Sequence, residues 1–452
     1  MKIMNNIYNE LKNKKILILG FGREGKSTYN FIRKELKDIH LGVADKVESI
    51  KNDELIKHDE KVTLHLGEDY LKCMKDYDMV IKSPGIILED SSEIENITSQ
   101  TDMFLKQYSK NIIGVTGTKG KTTIVTLITH ILKNAGVDVV LVGNVGVPAF
   151  DQIENIGKDT TIIYELSSFQ LEYICNSPRI AIMLNMFKDH LSNHGTLENY
   201  QKAKFNIVKH QNDKDIFIYN KDNDVVNGFA IDINVKSKKI SISQMDTEGT
   251  DVCVVKDYIT YNGEQVYNLN NKRNLIGDHN IYNMMAVIAA CKLLNISNDD
   301  IENSIYSYKP EPHRLEYVGT YGEIRFYNDS QATIPEPTME GIKALKNVDT
   351  LIVGGHDKGV DYKGIADFLV ESNVRNILCV YDTGKKVYDM AYNRNENQNV
   401  LYLDGLEEAV SIAKEVTEKG KTCLMSPASA SFGAFKDYKE RGEKFKEFVA
   451  RR

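Results

Sequence analysis

The stretch NIIGVTGTKGKTTIVTLITHIL, residues 111–132, carries the strongest structural signal in the chain. It predicts a β-strand, then a loop rich in glycine and threonine, then a long amphipathic helix that begins after Lys121. Backbone N–H groups at a helix N-terminus, together with one lysine, can surround a polyphosphate, and a threonine hydroxyl can reach magnesium. The stretch therefore predicts a phosphate-binding loop inside an α/β layer.

The loop departs from the general phosphate-loop pattern, because the glycine expected five positions before Gly120 is Val115. The alternative, a glycine-rich turn with a surface lysine, explains the combination of strand, loop and helix less well. The predicted nucleotide contacts are Gly117, Thr118, Lys119, Gly120, Lys121, Thr122 and Thr123.

A second glycine-rich turn, GFGREG at residues 20–25, follows the apolar run KKILIL. Its glycines Gly20, Gly22 and Gly25 have the spacing that lets backbone approach a pyrophosphate, and Asp45 ends the next apolar run at the distance of a ribose-binding carboxylate. A nicotinamide-dependent dehydrogenase fits this turn taken alone. That interpretation leaves the phosphate loop at 116–122 unexplained, and any tight strand-to-helix turn also selects glycine.

Short β-branched runs alternate with longer amphipathic stretches, which predicts an α/β fold with mostly parallel sheets. The length of 452 residues suggests about three domains. We place them at 1–107, 108–310 and 311–452, with the two prolines of KPEPHRLE near the second boundary. Residues 232–272 have the pattern of short alternating strands. The predicted strand runs are KKILIL, HLGVAD, YDMVIKS, NIIGVTG, VDVVLVG, TTIIYELS, RIAIMLN, DIFIYN, TLIVGG, NILCVY and KTCLMS.

Composition excludes several classes of protein. The 57 basic and 64 acidic side chains give a net charge of −7, so we expect no nucleic-acid partner. We also expect no membrane insertion, since no run near 18 apolar residues occurs. The six cysteines are widely spaced without a Cys-x-x-Cys pair, which favours the reducing cytoplasm over a disulfide framework or a zinc cage.

The loop Thr-Gly-Thr-x-Gly-Lys-Thr at 116–122 resembles that of the Mur ligases and folylpolyglutamate synthases, ATP-dependent enzymes that form amide bonds. Further segments follow in the order typical of Mur ligases, and most resemble the members that add D-glutamate. Because GFGREG precedes the phosphate loop, a folylpolyglutamate synthase fits less well. The segments are GNVGVPAF (143–150), YELSSFQLE (164–172), LNMFKDHLSNHG (184–195), YQKAK (200–204), GDHNIYN (277–283), PHRLE (312–316), NDSQAT (328–333), GGHDKG (354–359) and SPASASFGAF (426–435).

The resemblance implies a fold of three domains: a Rossmann-like N-terminal domain, a central P-loop ATPase-like domain and a C-terminal Rossmann-like α/β domain. It implies ATP-dependent addition of D-glutamate to UDP-N-acetylmuramoyl-L-alanine in peptidoglycan precursor synthesis, through an acyl phosphate. The first domain would then bind the uridine diphosphate rather than a nicotinamide cofactor. The implied ligands are ATP, two magnesium ions, the sugar nucleotide and D-glutamate, and we expect a monomer.

Glu165 ends one predicted strand and His190 follows another, so both side chains can gather at the carboxyl edge of the sheet beside the phosphate loop. The resemblance implies that Thr122 and Glu165 hold one magnesium ion and that His190 holds a second. Taken alone, His190 is more typical of a structural histidine, and Lys204 of a solvated helix lysine. By resemblance, Lys204 is carbamylated and becomes a magnesium ligand. The implied catalytic residues are Lys121, Glu165, His190 and Lys204.

The remaining nucleotide contacts are also implied by the resemblance. Asn280 and Asn283 lie three residues apart at the start of an apolar helix, where they can face one site or cap the helix. Ser167 has a packing role as its alternative. The implied ATP contacts outside the loop are Asn280, Asn283, Arg314 and Asp329. The implied contacts to the sugar nucleotide are Gly20, Gly22, Gly25, Asp45, Asn144, Ser167 and Gln170.

The acceptor site is implied to contain Thr333, Lys358, Ser431 and Phe432. The chain departs from the family pattern here: Gln331 stands at the place of a lysine, Ile334 at that of an asparagine, and His356 where an acidic residue is common. These departures leave open L-glutamate or another acceptor. They also leave open a catalytically weak nucleotide-binding regulatory subunit.

Overall fold

The computed structural model describes residues 6–88, 96–187, 191–232, 234–345, 347–357 and 359–451, without the side chains of residues 191 and 192. Contacts between residues divide the chain into two compact units. The first unit comprises Met1–Lys272 and Ile281–Ser307, and the second comprises Arg273–Asn280 and Tyr308–Arg452.

The first sheet lies in the first unit and has the strand order β3-β2-β1-β4-β5 with parallel neighbours. Its strands β1 and β4 are buried along their whole length, as expected for a parallel sheet covered on both faces. The strands are β1 (Ile16–Leu19), β2 (Leu41–Asp45), β3 (Val62–Leu66), β4 (Met79–Lys82) and β5 (Ile97–Thr98). The helices are α1 (Asn6–Leu11), α2 (Arg23–Glu35) and α3 (Gln100–Tyr108).

The second sheet has the order β14-β13-β12-β11-β10-β9-β6-β8-β7. It is parallel from β7 to β12, and β12, β13 and β14 form an antiparallel edge, in the segment that the sequence predicts as short strands. The strands are β6 (Ile112–Thr116), β7 (Val139–Gly143), β8 (Thr161–Glu165), β9 (Ile180–Met183), β10 (Ile216–Asn220), β11 (Lys238–Ser243), β12 (Val252–Val255), β13 (Tyr258–Tyr261) and β14 (Glu264–Asn268). The helices are α4 (Lys121–Asn134), α5 (Ser168–Leu171), α6 (Leu191–His194), α7 (Leu197–Lys209), α8 (Asp224–Ile231), α9 (Asp278–Leu293) and α10 (Asn298–Ser307).

The first and second sheets share one hydrophobic core within the first unit. The rings of Phe31 and Phe150 lie 4.4 Å apart, and the Tyr164 hydroxyl donates to Thr101 at 3.0 Å. Ser27 on α2 donates to Asp151 at 2.6 Å. Because these contacts join the two layers directly, the carboxyl edges of both sheets can contribute to one site.

The third sheet lies in the second unit and has the order β15-β16-β20-β17-β18-β19. It is parallel except for the hairpin of β15 and β16. The strands are β15 (Glu316–Tyr321), β16 (Ile324–Asn328), β17 (Val348–Val353), β18 (Asn376–Val380), β19 (Asn399–Leu403) and β20 (Thr422–Met425). The helices are α11 (Pro335–Leu345), α12 (Lys363–Glu371), α13 (Tyr381–Ala391), α14 (Leu406–Val416) and α15 (Tyr438–Ala450).

The predicted α/β fold class is confirmed, and each predicted strand run contains a strand of the structure. The domain boundaries at 107 and 310 stay predictions, and α3 continues through position 107 to Tyr108. Across the part of the chain that the structure describes, we find no helix that is both long and apolar enough to cross a membrane.

Candidate functional site

The phosphate loop connects β6 to α4 at the carboxyl edge of the second sheet. Gly120 precedes the helix with a φ of +88°, in the left-handed region that favours glycine. A Cβ atom there would lie 2.5 Å from Oδ1 of Asn283, so Asn283 packs directly against the loop. Helix α9 carries two predicted ATP contacts, Asn280 and Asn283, and Asn283 lies against the phosphate loop.

Lys121 begins α4 and turns back over its own loop. Its Nζ donates to the carbonyl of Gly117 at 2.8 Å and to that of Thr118 at 3.1 Å. The ammonium group is thereby held where the backbone N–H groups at the start of α4 also point. A cation and a helix N-terminus at one place form an anion-binding site.

Asn185 fixes the other side of the phosphate loop, and the sequence analysis did not single it out. Its Oδ1 accepts from the Lys119 N–H at 2.8 Å, its Nδ2 donates to the Lys119 carbonyl at 3.1 Å, and its own carbonyl accepts from the Thr118 N–H at 3.0 Å. The available signal was its position at the end of the run RIAIMLN, since polar residues at strand ends face the carboxyl edge.

Glu165 ends β8 and is 1% exposed. Its Oε1 accepts from Asn144 Nδ2 at 2.9 Å, whereas its Oε2 is buried and has no hydrogen-bond partner among the described residues. A buried carboxylate oxygen without a donor is costly unless a ligand supplies the missing charge or proton. The residues present therefore fit a magnesium ion, which prefers oxygen ligands.

The rest of the predicted metal site is only partly described. Thr122 lies in the first turn of α4, on the same loop as Lys121. His190 falls outside the described residues. Among the described residues, the structure contains no group of three or more histidine, cysteine, aspartate or glutamate side chains that could hold a metal ion.

Lys204 lies on α7 and is only 2% exposed. Its Nζ donates to Thr116 Oγ1 at 3.2 Å and to the Gly117 carbonyl at 3.0 Å, and it lies 5.1 Å from the centre of the Tyr200 ring. The interpretation of Lys204 as a solvated helix lysine is therefore wrong. Tertiary packing places this face of α7 against the phosphate loop.

The first glycine-rich turn connects β1 to α2 at the carboxyl edge of the first sheet. A Cβ atom on Gly25 would lie 2.0 Å from the Gly20 carbonyl oxygen, whereas one on Gly22 would meet nothing within 4 Å. Asp45 accepts from the Phe21 N–H at 2.7 Å and from the Val47 N–H at 2.8 Å. Asp45 thus holds the turn in place as well as lining the site.

Both loops face one cavity of about 560 Å³ inside the first unit. The described lining includes most of the residues predicted to contact the sugar nucleotide, together with catalytic candidates. Those residues are Gly20, Gly22, Asp45, Asn144, Ser167, Gln170, Lys121 and Lys204. The sequence analysis missed other lining residues, among them Arg23, Glu24 and Tyr200.

Ser167 and Gln170 form a capping box at the start of α5: each side chain accepts from the backbone N–H of the other, at 3.2 Å for Ser167 and 3.0 Å for Gln170. The Gln170 Nε2 donates to Glu24 Oε1 at 2.7 Å. Burial raises the pKa of Glu24 to about 6, although the bond from Gln170 and the charges of Arg23 and Lys82 lower it. The signal for Glu24 was an acidic residue inside a glycine-rich turn.

In the second unit, Asp329 follows β16 and is 5% exposed. Ser426 donates to its Oδ2 at 2.7 Å and the Leu315 N–H to its Oδ1 at 3.1 Å, while burial raises its pKa to about 7. Arg314 Nε donates to Gln331 Oε1 at 2.8 Å. Arg314 and Asp329, both predicted to contact ATP, thus lie at two neighbouring turns.

Asn280 belongs to the second unit and is 9% exposed. Its Nδ2 donates to the Ile276 carbonyl at 2.7 Å, so its amide supports the local turn. Burial lowers the pKa of the neighbouring His279. This bond differs from an N-cap, in which the side-chain oxygen accepts from a backbone N–H, and the contact of Asn280 with ATP stays a prediction.

A cavity of about 300 Å³ in the second unit contains Ser431 and Phe432, two of the predicted acceptor residues. His356 and Arg441 also line it. Arg441 is 2% exposed, and its guanidinium donates to Ser330 Oγ and to backbone carbonyls at 2.8–3.2 Å. Thr333 is not among the described lining residues of this cavity, and Lys358 lies outside the described residues.

Two family models match the chain: "Mur ligase MurD-like, N-terminal domain" at residues 14–103 and "Mur ligase middle domain" at residues 115–291. A UDP-N-acetylmuramoylalanine--D-glutamate ligase of Clostridium tetani is 32% identical over 99% of each chain. A relative with the same name from Caldicellulosiruptor bescii is 33% identical over 97% of this chain and 98% of its own.

Solved structures share the fold at lower identity. A MurF ligase from Thermotoga maritima in complex with ADP has a TM-score of 0.60 and 16% identity over 99% of this chain and 98% of its own. A UDP-N-acetylmuramate-alanine ligase, MurC, from Thermotoga maritima has a TM-score of 0.59 and 18% identity over 96% of this chain and 99% of its own. Because relatives above 30% identity match nearly the whole of both chains, this chain belongs to the Mur ligase family.

Proposed function

We propose that this protein is an ATP-dependent carboxylate-amine ligase that adds D-glutamate to UDP-N-acetylmuramoyl-L-alanine in peptidoglycan precursor synthesis. The observation that carries the proposal is the single cavity into which both the first glycine-rich turn and the phosphate loop open. A sugar nucleotide held by the first glycine-rich turn would extend toward the ATP held by the phosphate loop. The name shared by the full-length relatives supports the same substrates.

A carboxylate does not readily form an amide, because the carboxylate oxygen is a poor leaving group. In the proposed reaction, the alanyl carboxylate attacks the γ-phosphorus, the bond to the β-phosphate oxygen breaks, and ADP leaves. The amine of D-glutamate then attacks the acyl carbon of the acyl phosphate, loses a proton, and inorganic phosphate departs. Lys121, held at the loop by two carbonyls, neutralises the charge on the transferred group.

The chain's oxygen ligands suit magnesium at this place. Glu165, with its unpartnered buried oxygen, and Thr122 would hold one ion, and His190 a second. When bound, magnesium would neutralise phosphate charge and orient the reacting oxygens. Asn144 donates to the other Glu165 oxygen, so Oε2 is the oxygen proposed to bind the ion.

We further propose that Lys204 is carbamylated. Its buried amine lies beside Thr116 and the carbonyl of Gly117. After the ammonium loses a proton, the neutral amine would form an N–C bond to carbon dioxide and release a second proton, which gives an anionic carbamate. The test is a ¹³C NMR spectrum of protein in labelled bicarbonate. A carbamate resonance is expected in wild type and in Lys202→Arg, an exposed neighbour, and is absent from Lys204→Arg. A resonance that survives in Lys204→Arg contradicts the assignment.

The remaining predicted residues are proposed to contact ATP and the amino-acid acceptor. Arg314, Asp329 and Asn283 are the proposed ATP contacts outside the loop; Asn283 packs against Gly120, and Asp329 accepts from the Leu315 N–H. The cavity that contains Ser431 and Phe432 would take the amino-acid acceptor, where a buried guanidinium attracts a carboxylate. We propose that the protein acts as a monomer in the cytoplasm.

The experiment that tests the function is phosphate release from Mg-ATP with UDP-N-acetylmuramoyl-L-alanine, compared for D-glutamate, L-glutamate, other amino acids and no acceptor. Mass spectrometry identifies the product, and Lys121→Ala is the inactive control. Turnover that requires D-glutamate supports the proposal. Turnover with L-glutamate instead retains the ligase chemistry but changes the substrate, and no turnover with any acceptor favours the regulatory subunit.

The same assay tests the departure at position 331. Arg314 holds Gln331 through its side-chain oxygen at 2.8 Å, so the amide occupies the place where related enzymes carry a lysine. If the Gln331 amide contacts D-glutamate as the lysine of related enzymes would, Gln331→Lys should change the KM for D-glutamate by less than about tenfold. A reversal of the preference between D- and L-glutamate would assign the acceptor choice to this position.

A further inference from the structure

Glu24 lies in the first turn of α2, inside the glycine-rich segment GFGREG, and lines the cavity shared by the two loops. Its Oε1 accepts from Gln170 Nε2 at 2.7 Å. Its Oε2 is buried and has no hydrogen-bond partner among the residues that the structure describes. An unpaired buried carboxylate oxygen is costly, so it indicates a ligand at this place.

The hydrogen bond from Gln170 and the charges of Arg23 and Lys82 lower the pKa of Glu24 and so favour its ionised form, against the effect of burial. Lys82, 3% exposed at the end of β4, lies close enough to lower the Glu24 pKa, which burial raises to about 6. The Lys82 ammonium also pairs with Glu172 at 3.5 Å and lies 4.9 Å from the Tyr173 ring centre. An ionised carboxylate can only accept hydrogen bonds, so Oε2 requires a donor.

The orientation of Gln170 is fixed by its other contacts. Its Oε1 accepts from both the N–H and the hydroxyl of Ser167, at 3.0 and 3.1 Å, so its NH₂ group must face Glu24. Gln170 therefore satisfies one Glu24 oxygen, and the second has no donor among the described residues, on a side chain that lines the cavity. An ionised phosphate offers no donor, whereas a sugar hydroxyl or an amide N–H does.

We propose that Glu24 is a further contact to the sugar nucleotide, an inference that rests on the proposed function. Glu24 Oε2 accepts a hydrogen bond from a hydroxyl or amide N–H of the muramoyl portion. Its partner Gln170 lies on α5, which follows β8 of the second sheet, so the Glu24 carboxylate faces that layer. Glu24 thereby joins the nucleotide-binding turn to the residues that hold the sugar.

The test is calorimetric binding of UDP-N-acetylmuramoyl-L-alanine and of UDP, which lacks the muramoyl portion, to full-length protein. Glu24→Gln should weaken binding of the sugar nucleotide about tenfold or more, because a hydrogen bond to a charged group is lost. Its binding of UDP should change by less than about twofold. The matched control Glu172→Gln, beside the same lysine but outside the cavity lining, should leave both affinities within about twofold.

A Glu24→Gln protein that binds both ligands as wild type does would overturn the proposal. Equal weakening of both ligands together with a lower Tm would also overturn it, because Glu24 would then only join the two layers. If Glu24→Gln does not fold, Glu24→Asp retains the charge on a shorter side chain and should show the same selective loss. Failure of wild type to bind the sugar nucleotide, with UDP still bound, would refute the proposed function itself.

Discussion

The two glycine-rich turns of the first unit each begin a helix with a cation, Arg23 or Lys121, but only the turn at 20–25 adds a carboxylate, that of Glu24. Each leaves a buried strand, contains a glycine with a φ of +88°, and begins a helix whose N-terminus faces the cavity. The loop at 117–120 continues with Lys121, whose ammonium lies over its own carbonyls. The turn at 20–25 instead contains Glu24, whose carboxylate contacts the neighbouring layer.

The comparison shows that the backbone and the first cation of the helix suit an anion in both turns, whereas the other groups around each turn determine what the site can do. A helix N-terminus attracts phosphate in both turns. The loop with Lys121 follows β6, whose residue Val115 pairs with Glu165 of β8, so a cation and the carboxylate with an unpartnered oxygen come from neighbouring strands, as a reacting phosphate requires. The turn with Glu24 suits recognition of a phosphate that does not react.

The largest expected effect is at Lys121. Lys121→Ala should reduce turnover by about 1000-fold or more, because the charge on the transferred phosphate loses its cation. Binding of the sugar nucleotide should stay within about threefold of wild type, because the first turn is untouched. Phosphate release and calorimetry measure the two effects. Lys133→Ala, at the exposed end of the same helix, is the control, and retained turnover in Lys121→Ala would remove the proposed difference between the turns.

Glu165→Gln tests whether the reacting phosphate depends on the unpartnered oxygen. We expect turnover to fall about 100-fold and the half-saturating magnesium concentration to rise, because a neutral amide is a poorer ligand than a carboxylate. Initial rates over a magnesium titration measure both quantities. Asp159→Asn, in the exposed turn before the same strand, should match wild type. An unchanged magnesium dependence in Glu165→Gln would contradict the metal assignment.

Two glycines of the first turn are expected to serve different purposes, Gly25 the stability of the fold and Gly22 the binding of UDP. Gly25→Ala should lower the free energy of unfolding by about 3 kcal/mol, because its Cβ would lie 2.0 Å from a backbone oxygen. Gly22→Ala meets no atom within 4 Å, so its stability should change by less than about 0.5 kcal/mol. It should nevertheless weaken UDP binding, since the added methyl group blocks approach of the pyrophosphate. Denaturant unfolding and calorimetry test the pair, and equal stabilities would contradict the close contact at Gly25.

The smallest expected effect concerns the charge of Glu24. Its pKa is raised from 4.5 to about 6 in the folded protein, so the folded state binds the proton more tightly than the unfolded state. The resulting stability is fully present below about pH 4.5 and is lost as the pH rises through about 6. Relative to Glu24→Gln, wild type should therefore lose about 1–2 kcal/mol of unfolding free energy between pH 4.5 and 7.5. Parallel pH curves for the two proteins would show that the carboxyl is not buried in solution.

The sequence predicted the fold class, many of the strands and both loops because those features depend on local patterns. Glycines at fixed spacing and apolar runs of strand length are visible in a window of about 20 residues. The burial of Lys204 was not visible, because the exposure of a helix residue depends on what packs against its face. Asn185 and Arg441 were missed for the same reason: each acts through contacts with backbone atoms distant in sequence.

The sequence by itself determined that the chain forms α/β layers with a phosphate loop at 116–122 and a pyrophosphate-type turn at 20–25. Steric limits on the backbone and the burial of apolar runs fix those features locally. Only the tertiary structure decided that both loops face one cavity, that Glu165 retains an unpartnered oxygen and that Glu24 reaches Gln170. These relations join residues as much as 146 positions apart, and only the packing of one layer on another sets such distances.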